Sequence, residues 1–250
     1  MRRVLGLVPI LIVALFFGLG VFVLTGGTYI ITPSDDAYLK STLTTAPTTG
    51  NTLKVGFDGA NKTRTIARYN LSTVPSNEPI IAVHVKAIVT KASAAGDTRG
   101  IAMYRCLRDV NITQMGWNEY SDGNNWAAAG ADSGWINWIG AGKTYADSAG
   151  SSSTYDRALD PSGFLYLDGL VPASGDTMFG SLDPAQVARW VDGTNDTLGL
   201  IFQMFDETTV GTVNLESLDN NGVGIWLEVV TGSAASASSM HLGSGSGVRP

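Results

Sequence analysis

Aromatic rings and side-chain amides recur together between Tyr120 and Tyr145, and this combination suits the binding of sugars. Flat aromatic faces can stack on the C–H-rich faces of pyranose rings, while Asn side chains can hydrogen-bond to hydroxyl groups. Trp135 and Trp138 flank Ile136-Asn137, and packing of these two rings onto the protein itself is an equally open interpretation. We therefore predict a glycan-binding surface from these aromatic and amide side chains: Tyr120, Asn124, Asn125, Trp135, Asn137, Trp138 and Tyr145.

Carboxylates are the strongest candidates for catalysis in this chain. Asp206, Glu207 and Glu216 lie at or near the ends of predicted strands, and two carboxylates held about 5–10 Å apart can hydrolyse a glycoside. Capping of turns and solvation of a sheet edge explain the same residues without catalysis. His84 and His241 occur on a strand face and in the C-terminal tail, which does not favour a shared triad or metal site. We predict no catalytic residue and no enzymatic activity.

Cofactor chemistry is weakly encoded. Asp35-Asp36 could join backbone carbonyls around a structural calcium ion, although acidic pairs at strand starts are common for other reasons. Cys106 is the single cysteine, so neither an intrachain disulfide nor a cysteine-based zinc site can form. The net charge of −6 would repel a phosphate backbone, and no binding of nucleic acid is expected.

The stretch from Ile112 to Ala131 predicts an ordered loop. It places Trp117 and Trp126 nine residues apart with Asn, Asp and Gly between them, a composition that excludes a helix. Two indoles also bury more apolar area than a solvated loop usually carries. We therefore interpret Trp117 and Trp126 as structural pins of this loop, and Trp190 as a third pin on a short helix.

Alternating apolar residues bounded by turn signals predict an all-β domain. Within Ile80–Thr90, one face is expected to consist of Ile81, Val83, Val85, Ala87 and Val89. Leu198–Phe205 is apolar on both faces and is expected to be a central strand. Turn-linked strands of this kind indicate a jelly-roll-like β-sandwich. The predicted strands are Thr52–Phe57, Arg64–Leu71, Ile80–Thr90, Ile101–Arg108, Phe164–Leu170, Leu198–Phe205, Val213–Leu218 and Gly224–Val230.

One short helix is predicted after residue 183. Asp183 is its expected N-cap, Pro184 its first residue and Gln186 the partner in a capping box, and Gly193 ends it. Its apolar residues would face the sheet.

The chain divides into an apolar N-terminal segment (1–27), a linker (28–34), the β-sandwich (35–231) with a long insertion at about 117–162, and a flexible tail (232–250). Val4–Leu24 is uncharged and, as a helix, would extend roughly 31 Å, about the thickness of a bilayer core. A membrane anchor, a secretory signal peptide and an arm buried in an assembly are the three interpretations.

Several short pieces of the sequence carry a resemblance when they are taken in chain order. They are Asp36-Ala37-Tyr38, Leu53–Gly56, Arg64–Ser72, Val74-Pro75, Gly116–Ala131, Val187–Gly193, Leu198-Gly199-Leu200 and Glu216-Ser217. Together they resemble one family, the DNRLRE or disaggregatase-related domains. The resemblance covers roughly residues 35–231, and its most specific part is Trp117–Ala131. Gly116 stands where the family motif usually has Thr.

This resemblance implies an extracellular β-sandwich similar to carbohydrate-binding modules, of a kind also found in cell-surface and phage structural proteins. The first hypothesis is a non-catalytic surface module for adhesion or glycan binding on a cell envelope or phage particle. The second is a decoration, fibre-type or envelope-layer component without a glycan ligand, which self-assembles or binds other particle subunits. A polysaccharide-acting enzyme is the third. The expected location is the outer face of a cell envelope or a virion surface.

Overall fold

The structure, a computed structural model, describes residues 26–48, 50, 52–93, 100–121, 123–126, 130–131, 134–135, 157–158, 161–167, 172–193 and 199–232. Within these residues the chain forms short helices α1 (Pro184–Val191) and α2 (Leu218–Asn221) and sixteen strands. The strands are β1 (Thr28–Ile31), β2 (Pro33–Lys40), β3 (Leu43–Thr48), β4 (Thr52–Phe57), β5 (Lys62–Tyr69), β6 (Ile80–Ala92), β7 (Gly100–Arg105), β8 (Glu119–Ser121), β9 (Asn124–Asn125), β10 (Gly134–Trp135), β11 (Arg157–Ala158), β12 (Gly163–Tyr166), β13 (Thr177–Leu182), β14 (Leu200–Met204), β15 (Gly211–Glu216) and β16 (Trp226–Thr231).

Eight strands close into a barrel-like ring. The order around the ring is β6, β13, β12, β7, β14, β5, β4 and β15, after which β15 pairs back to β6. Every pairing in the ring is antiparallel. A ring of eight strands has an interior that side chains can fill without leaving a channel.

Two pairs of strands extend the sheet outside the ring. β16 pairs with residues 80–86 of β6 and β1 pairs with β16, whereas β15 uses residues 89–92 of β6. β2 pairs along β5 and β3 pairs with β2. β6 is the longest described strand, with 13 residues, which allows it to hydrogen-bond to two strands in succession along one edge.

The main core lies inside the ring. Side chains alternate along each strand, so every second residue points inward; on β6, Val83, Val85, Ala87 and Val89 are buried. Helix α1 adds its apolar face, Val187 and Trp190, to the same core. The Asp183 carboxylate caps this helix by accepting a hydrogen bond from the Ala185 N–H at 2.9 Å.

A second, smaller core lies on the outer side of β2, β5 and β14. Ala37, Leu39, Ile66 and Ile201 project from these strands and pack against residues of the 106–131 segment. That segment contributes Cys106, Val110, Ile112, Met115, Trp126 and Ala131. The loop is therefore held on the barrel by a hydrophobic layer of its own.

The all-β prediction is confirmed, and β14 lies between β7 and β5 as the central strand expected from its two apolar faces. Other details differ. Ile81 is 61% exposed rather than buried, because it lies at the start of β6, before the strand enters the core. The Gln186 side chain donates to the Ser162 hydroxyl at 3.2 Å instead of accepting from the backbone N–H of Asp183, so the predicted capping box does not form.

The N-terminal boundaries also differ from prediction. Thr28–Ile31, expected to be linker, forms β1 against β16, because Ile31 can bury its side chain in the main core. Val4–Leu24 lies outside the described residues, as does the tail beyond residue 232. Within the part of the chain that the structure describes, no helix combines the length and apolar character needed to cross a membrane.

Candidate functional site

Hydrogen bonds at two tryptophans stabilise the described part of the loop between residues 107 and 131: those of Trp126 lie within the loop, and that of Trp117 joins the loop to β3. The Trp126 indole N–H donates to the Gly116 carbonyl at 2.8 Å, and the Trp126 backbone N–H donates to the Asn118 carbonyl at 2.9 Å. The Trp117 backbone N–H donates to the carbonyl of Leu43 at the start of β3, at 3.0 Å. Trp126 is buried and Trp117 half-buried. Trp190 is buried in the main core instead.

A buried ion pair fastens the end of this loop. Arg64 on β5 donates from Nε to Glu207 Oε1 at 2.8 Å and from Nη2 to Glu207 Oε2, and its Nη1 donates to the Gly130 carbonyl at 2.6 Å. The guanidinium carbon lies 5.4 Å from the centre of the Trp117 ring. Residue 130 has to be glycine here, because its φ is 78° and a Cβ would lie 2.6 Å from that ring.

Residues of the loop and of the strands beneath it line a polar depression of about 550 Å³ that is open to solvent. Two strand residues, Asp35 on β2 and Arg68 on β5, form one wall. Loop residues complete it: Asp109, Val110, Asn111, Ile112, Thr113, Gln114, Ser121 and Asn124. Most of these are amides, hydroxyls and carboxylates, which donate to or accept from the hydroxyl groups of a ligand.

Local turns hold these polar groups in place. The Asn111 Oδ1 accepts hydrogen bonds from the backbone N–H and the hydroxyl of Thr113, and the Asn111 Nδ2 donates to Gln114 Oε1 at 2.6 Å. Across the depression, Asn124 Nδ2 donates to the Ser121 hydroxyl at 2.9 Å. Because their turns are already formed, these side chains lose little freedom when a ligand binds.

The charges that line the depression nearly balance. Arg68 Nη1 donates to the Val110 carbonyl at 2.9 Å, and Arg68 Nη2 lies 3.6 Å from Asp109 Oδ1. Asp35 lies opposite Arg68 in the backbone register of β2 and β5. Two carboxylates around one guanidinium make the wall slightly acidic, which favours an uncharged or cationic ligand over an anionic one.

The predicted sugar-binding residues have different outcomes. Asn124 lines the depression, whereas Asn125 is exposed elsewhere. Tyr120 is half-buried, with its ring 5.7 Å from that of Trp126 and 5.2 Å from the Arg108 guanidinium. The backbone of Trp135 pairs with Ala158 in a short parallel ladder. Trp138, Tyr145 and Asn137 lie outside the described residues.

The two carboxylates of the predicted calcium pair, Asp35 and Asp36, lie in different surroundings. Asp35 and Asp36 are neighbours on β2, so their side chains leave the strand on opposite faces. Asp35 faces the depression, and Asp36 Oδ2 accepts the Leu218 N–H at the start of α2 at 2.8 Å. Burial, and secondarily the nearby carboxylates of Asp219 and Asp35, raise the pKa of Asp36 to about 6. Among the described residues, no three His, Cys, Asp or Glu side chains are grouped to hold a metal ion.

The carboxylates considered for catalysis have structural partners. Both oxygens of Glu207 accept from Arg64, and Oε2 also accepts from Gln203 Nε2 at 3.2 Å. Asp206 is exposed and caps a turn by accepting from the backbone and the hydroxyl of Thr208, and these bonds hold its pKa below the usual range. Glu216 lies on β15 opposite Thr52. None of the three carboxylates lines the polar depression.

Sequence reasoning missed most of the depression. Arg68, Asn111, Thr113 and Gln114 line it but were assigned no role in binding. An Asn followed two residues later by Thr is a signal for the turn that the Asn111 side chain makes. The proximity of that turn to Arg68 depends on the fold and leaves no trace in local sequence.

The chain matches no family model, and no curated protein is significantly similar to it in sequence.

Proposed function

We propose that the chain is a non-catalytic, surface-exposed module that binds glycans through the polar depression beside its ordered loop. The observation that carries the proposal is the set of preformed amides, hydroxyls and carboxylates around that depression. Hydroxyl-rich ligands are recognised by converging polar groups on a rigid support. The loop between residues 107 and 131, which carries Trp117 and Trp126, supplies the rigidity. Its own hydrophobic layer and the ion pair between Arg64 and Glu207 hold it against the barrel.

The proposal also covers the type of β fold and the place where the module is displayed. The strand content and the closed ring are compatible with a jelly-roll-like sandwich of the DNRLRE type, and that assignment rests on the sequence resemblance. We place the module on the outer face of a cell envelope or on a virion. Trp135 and Trp138 remain candidates for stacking on sugar rings.

A glycan array probed with the full chain tests the proposal. Binding to a defined set of oligosaccharides is expected, and Gln114→Ala and Asn124→Ala should each weaken it about fivefold, the effect of one lost hydrogen bond of about 1 kcal/mol. Asn125→Ala is the matched control, because Asn125 neighbours Asn124 and is also exposed but does not line the depression.

Two results would count against this function. Absence of binding to any glycan would favour the structural alternative, in which the chain assembles with particle or envelope subunits. Equal losses in Asn124→Ala and Asn125→Ala would indicate that the depression is not the binding site.

A further inference from the structure

A second surface, which we call the aromatic row, lies on the outer face of the ring and shares no residue with the polar depression. It consists of Phe164 and Tyr166 on β12, Phe179 on β13 and Phe205 just after β14. Their side chains are 39%, 52%, 51% and 59% exposed. Their neighbours along the strands, Leu165 on β12 and Met178 on β13, are fully buried in the main core. The exposed rings therefore project from strands whose opposite face packs in the main core, which fixes the position of the strands.

Strand register brings the rings together. Tyr166 lies directly opposite Phe179 on one side and Gly100 on the other. Gly100 leaves room for the Phe205 ring, because a Cβ there would lie 2.4 Å from it. Phe205 in turn stacks on Phe164, with ring centres 4.9 Å apart and 23° between the planes. The row is thus arranged before any ligand arrives.

Polar groups continue the same face beyond Phe179. Lys86 is the neighbour of Phe179 on β6, its ammonium 5.8 Å from the ring centre. The Lys86 ammonium also forms an ion pair with Glu228 of β16, so its charge is balanced. Trp226, half-buried, lies opposite Lys86. Rings and hydrogen-bonding groups follow one another across the sheet, with no unbalanced charge among these described residues.

The size of the row indicates what can cover it. Four aromatic side chains of about 200 Å² each, roughly half exposed, offer about 400 Å² of apolar surface. A stable protein interface needs about 800 Å² from each partner. A polymer chain of sugar rings requires no such area, because each ring stacks on one aromatic face and the next sugar continues along the row.

We propose that the aromatic row is a binding platform for an extended, uncharged polysaccharide, separate from the polar depression. The flat rings take the C–H faces of successive sugars, and Lys86 and Glu228 hydrogen-bond to hydroxyl groups at one end. Balanced charges on this face disfavour acidic polysaccharides relative to neutral ones. This site extends the proposed function from short glycans to polymer chains.

Affinity electrophoresis of the full chain provides the test. The gels contain a neutral polysaccharide (hydroxyethyl cellulose, galactomannan or dextran) or acidic polygalacturonate. We expect retardation in at least one neutral gel and less in polygalacturonate. Tyr166→Ala and Phe179→Ala should each weaken polymer binding about tenfold. Ile81→Ala, which removes an exposed aliphatic side chain elsewhere on β6, should leave it unchanged, and circular dichroism checks that all three variants fold.

The outcomes separate this inference from the proposed function. Gln114→Ala and Asn124→Ala should weaken oligosaccharide binding on the array about fivefold yet keep the retardation of the parent in the gel. No retardation in any neutral gel, or unchanged retardation in both ring variants, would overturn the platform even if array binding persists. A dimer seen by analytical ultracentrifugation that dissociates in Phe179→Ala would also overturn it, by assigning the row to a second copy of the chain.

Discussion

Arg64 and Glu207 form a two-pronged ion pair with both side chains almost fully buried, at 1% and 6% exposure. Such a pair contributes little net stability over an apolar replacement. Removal of one partner, however, leaves the other charge buried without a counter-charge and costs about 3–5 kcal/mol. Glu207→Gln should therefore lower the free energy of unfolding by about that amount in urea denaturation. Asp109→Asn, at a side chain that is 74% exposed, is the control and should change it by less than about 1 kcal/mol.

The double variant Arg64→Met, Glu207→Leu sharpens this prediction. Because neither charge remains buried, it should be more stable than Glu207→Gln alone. A double variant that is less stable than the single one would show that the hydrogen bond from Arg64 to Gly130 contributes more than the ion pair.

Gly130→Ala tests how closely the loop between residues 107 and 131 packs at Gly130 against the Trp117 ring. Alanine at a φ of 78° is strained, and its Cβ would also meet the Trp117 ring at 2.6 Å. Gly123 has a similar φ of 70° but open space around a Cβ, so Gly123→Ala should cost only the backbone strain of about 1 kcal/mol. Urea unfolding monitored by tryptophan fluorescence should show a larger loss for Gly130→Ala. Equal losses would mean that Trp117 moves aside freely.

Gly100→Ala tests the aromatic row without removing a ring. The new methyl group would occupy the place of the Phe205 ring and so break its stack on Phe164. Retardation by neutral polysaccharide should fall, while the circular dichroism spectrum stays unchanged. Retained polymer binding in a folded Gly100→Ala protein would show that Phe205 does not contribute to the platform.

Asp36 should make the protein less stable as pH rises. Its pKa is raised to about 6 in the folded chain from an ordinary value of 3.8, so between these values the folded state binds more protons than the unfolded state. The stabilising protonation is fully present below about pH 4 and is lost as pH rises through 6. Partial solvent contact limits the effect to about 1 kcal/mol. Urea titrations at pH 4.5 and 7.5 should show this difference in the parent and a smaller one in Asp36→Asn. Equal differences would assign the dependence to other groups.

The sequence predicted the parts of this fold that depend on local pattern. Alternation identified β6, and the Asp183-Pro184 start identified α1, because strand faces and helix caps are set by neighbours in the chain. The strand Thr177–Leu182 was missed, since Gly180 and Ser181 interrupt its apolar pattern; Gly180 is required there because a Cβ would lie 2.2 Å from the Phe164 carbonyl oxygen. The pairing of β15 with β6, which closes the ring, could not be predicted from local sequence either, because the two strands are far apart in the chain.

The site was less predictable than the fold, because it brings together residues that are far apart in the sequence. Asn124 was identified because it belongs to the unusual Trp117–Trp126 stretch, whereas Arg68 reads as an ordinary strand residue. Tyr166 belongs to a predicted strand and has no feature that distinguishes it there, and Phe179 lies in the strand that the sequence prediction missed. Their exposure becomes evident only when the ring closes and Leu165 and Met178 take the inner face.

The central claim, that the polar depression binds glycans, is tested most directly by isothermal titration calorimetry. The strongest oligosaccharide from the array is titrated into the full chain, Asn124→Ala and Asn125→Ala. We expect saturable binding to the parent and to Asn125→Ala with the same Kd, and about fivefold weaker binding to Asn124→Ala. Binding of equal strength in all three proteins, or no heat of binding in the parent, would contradict the claim.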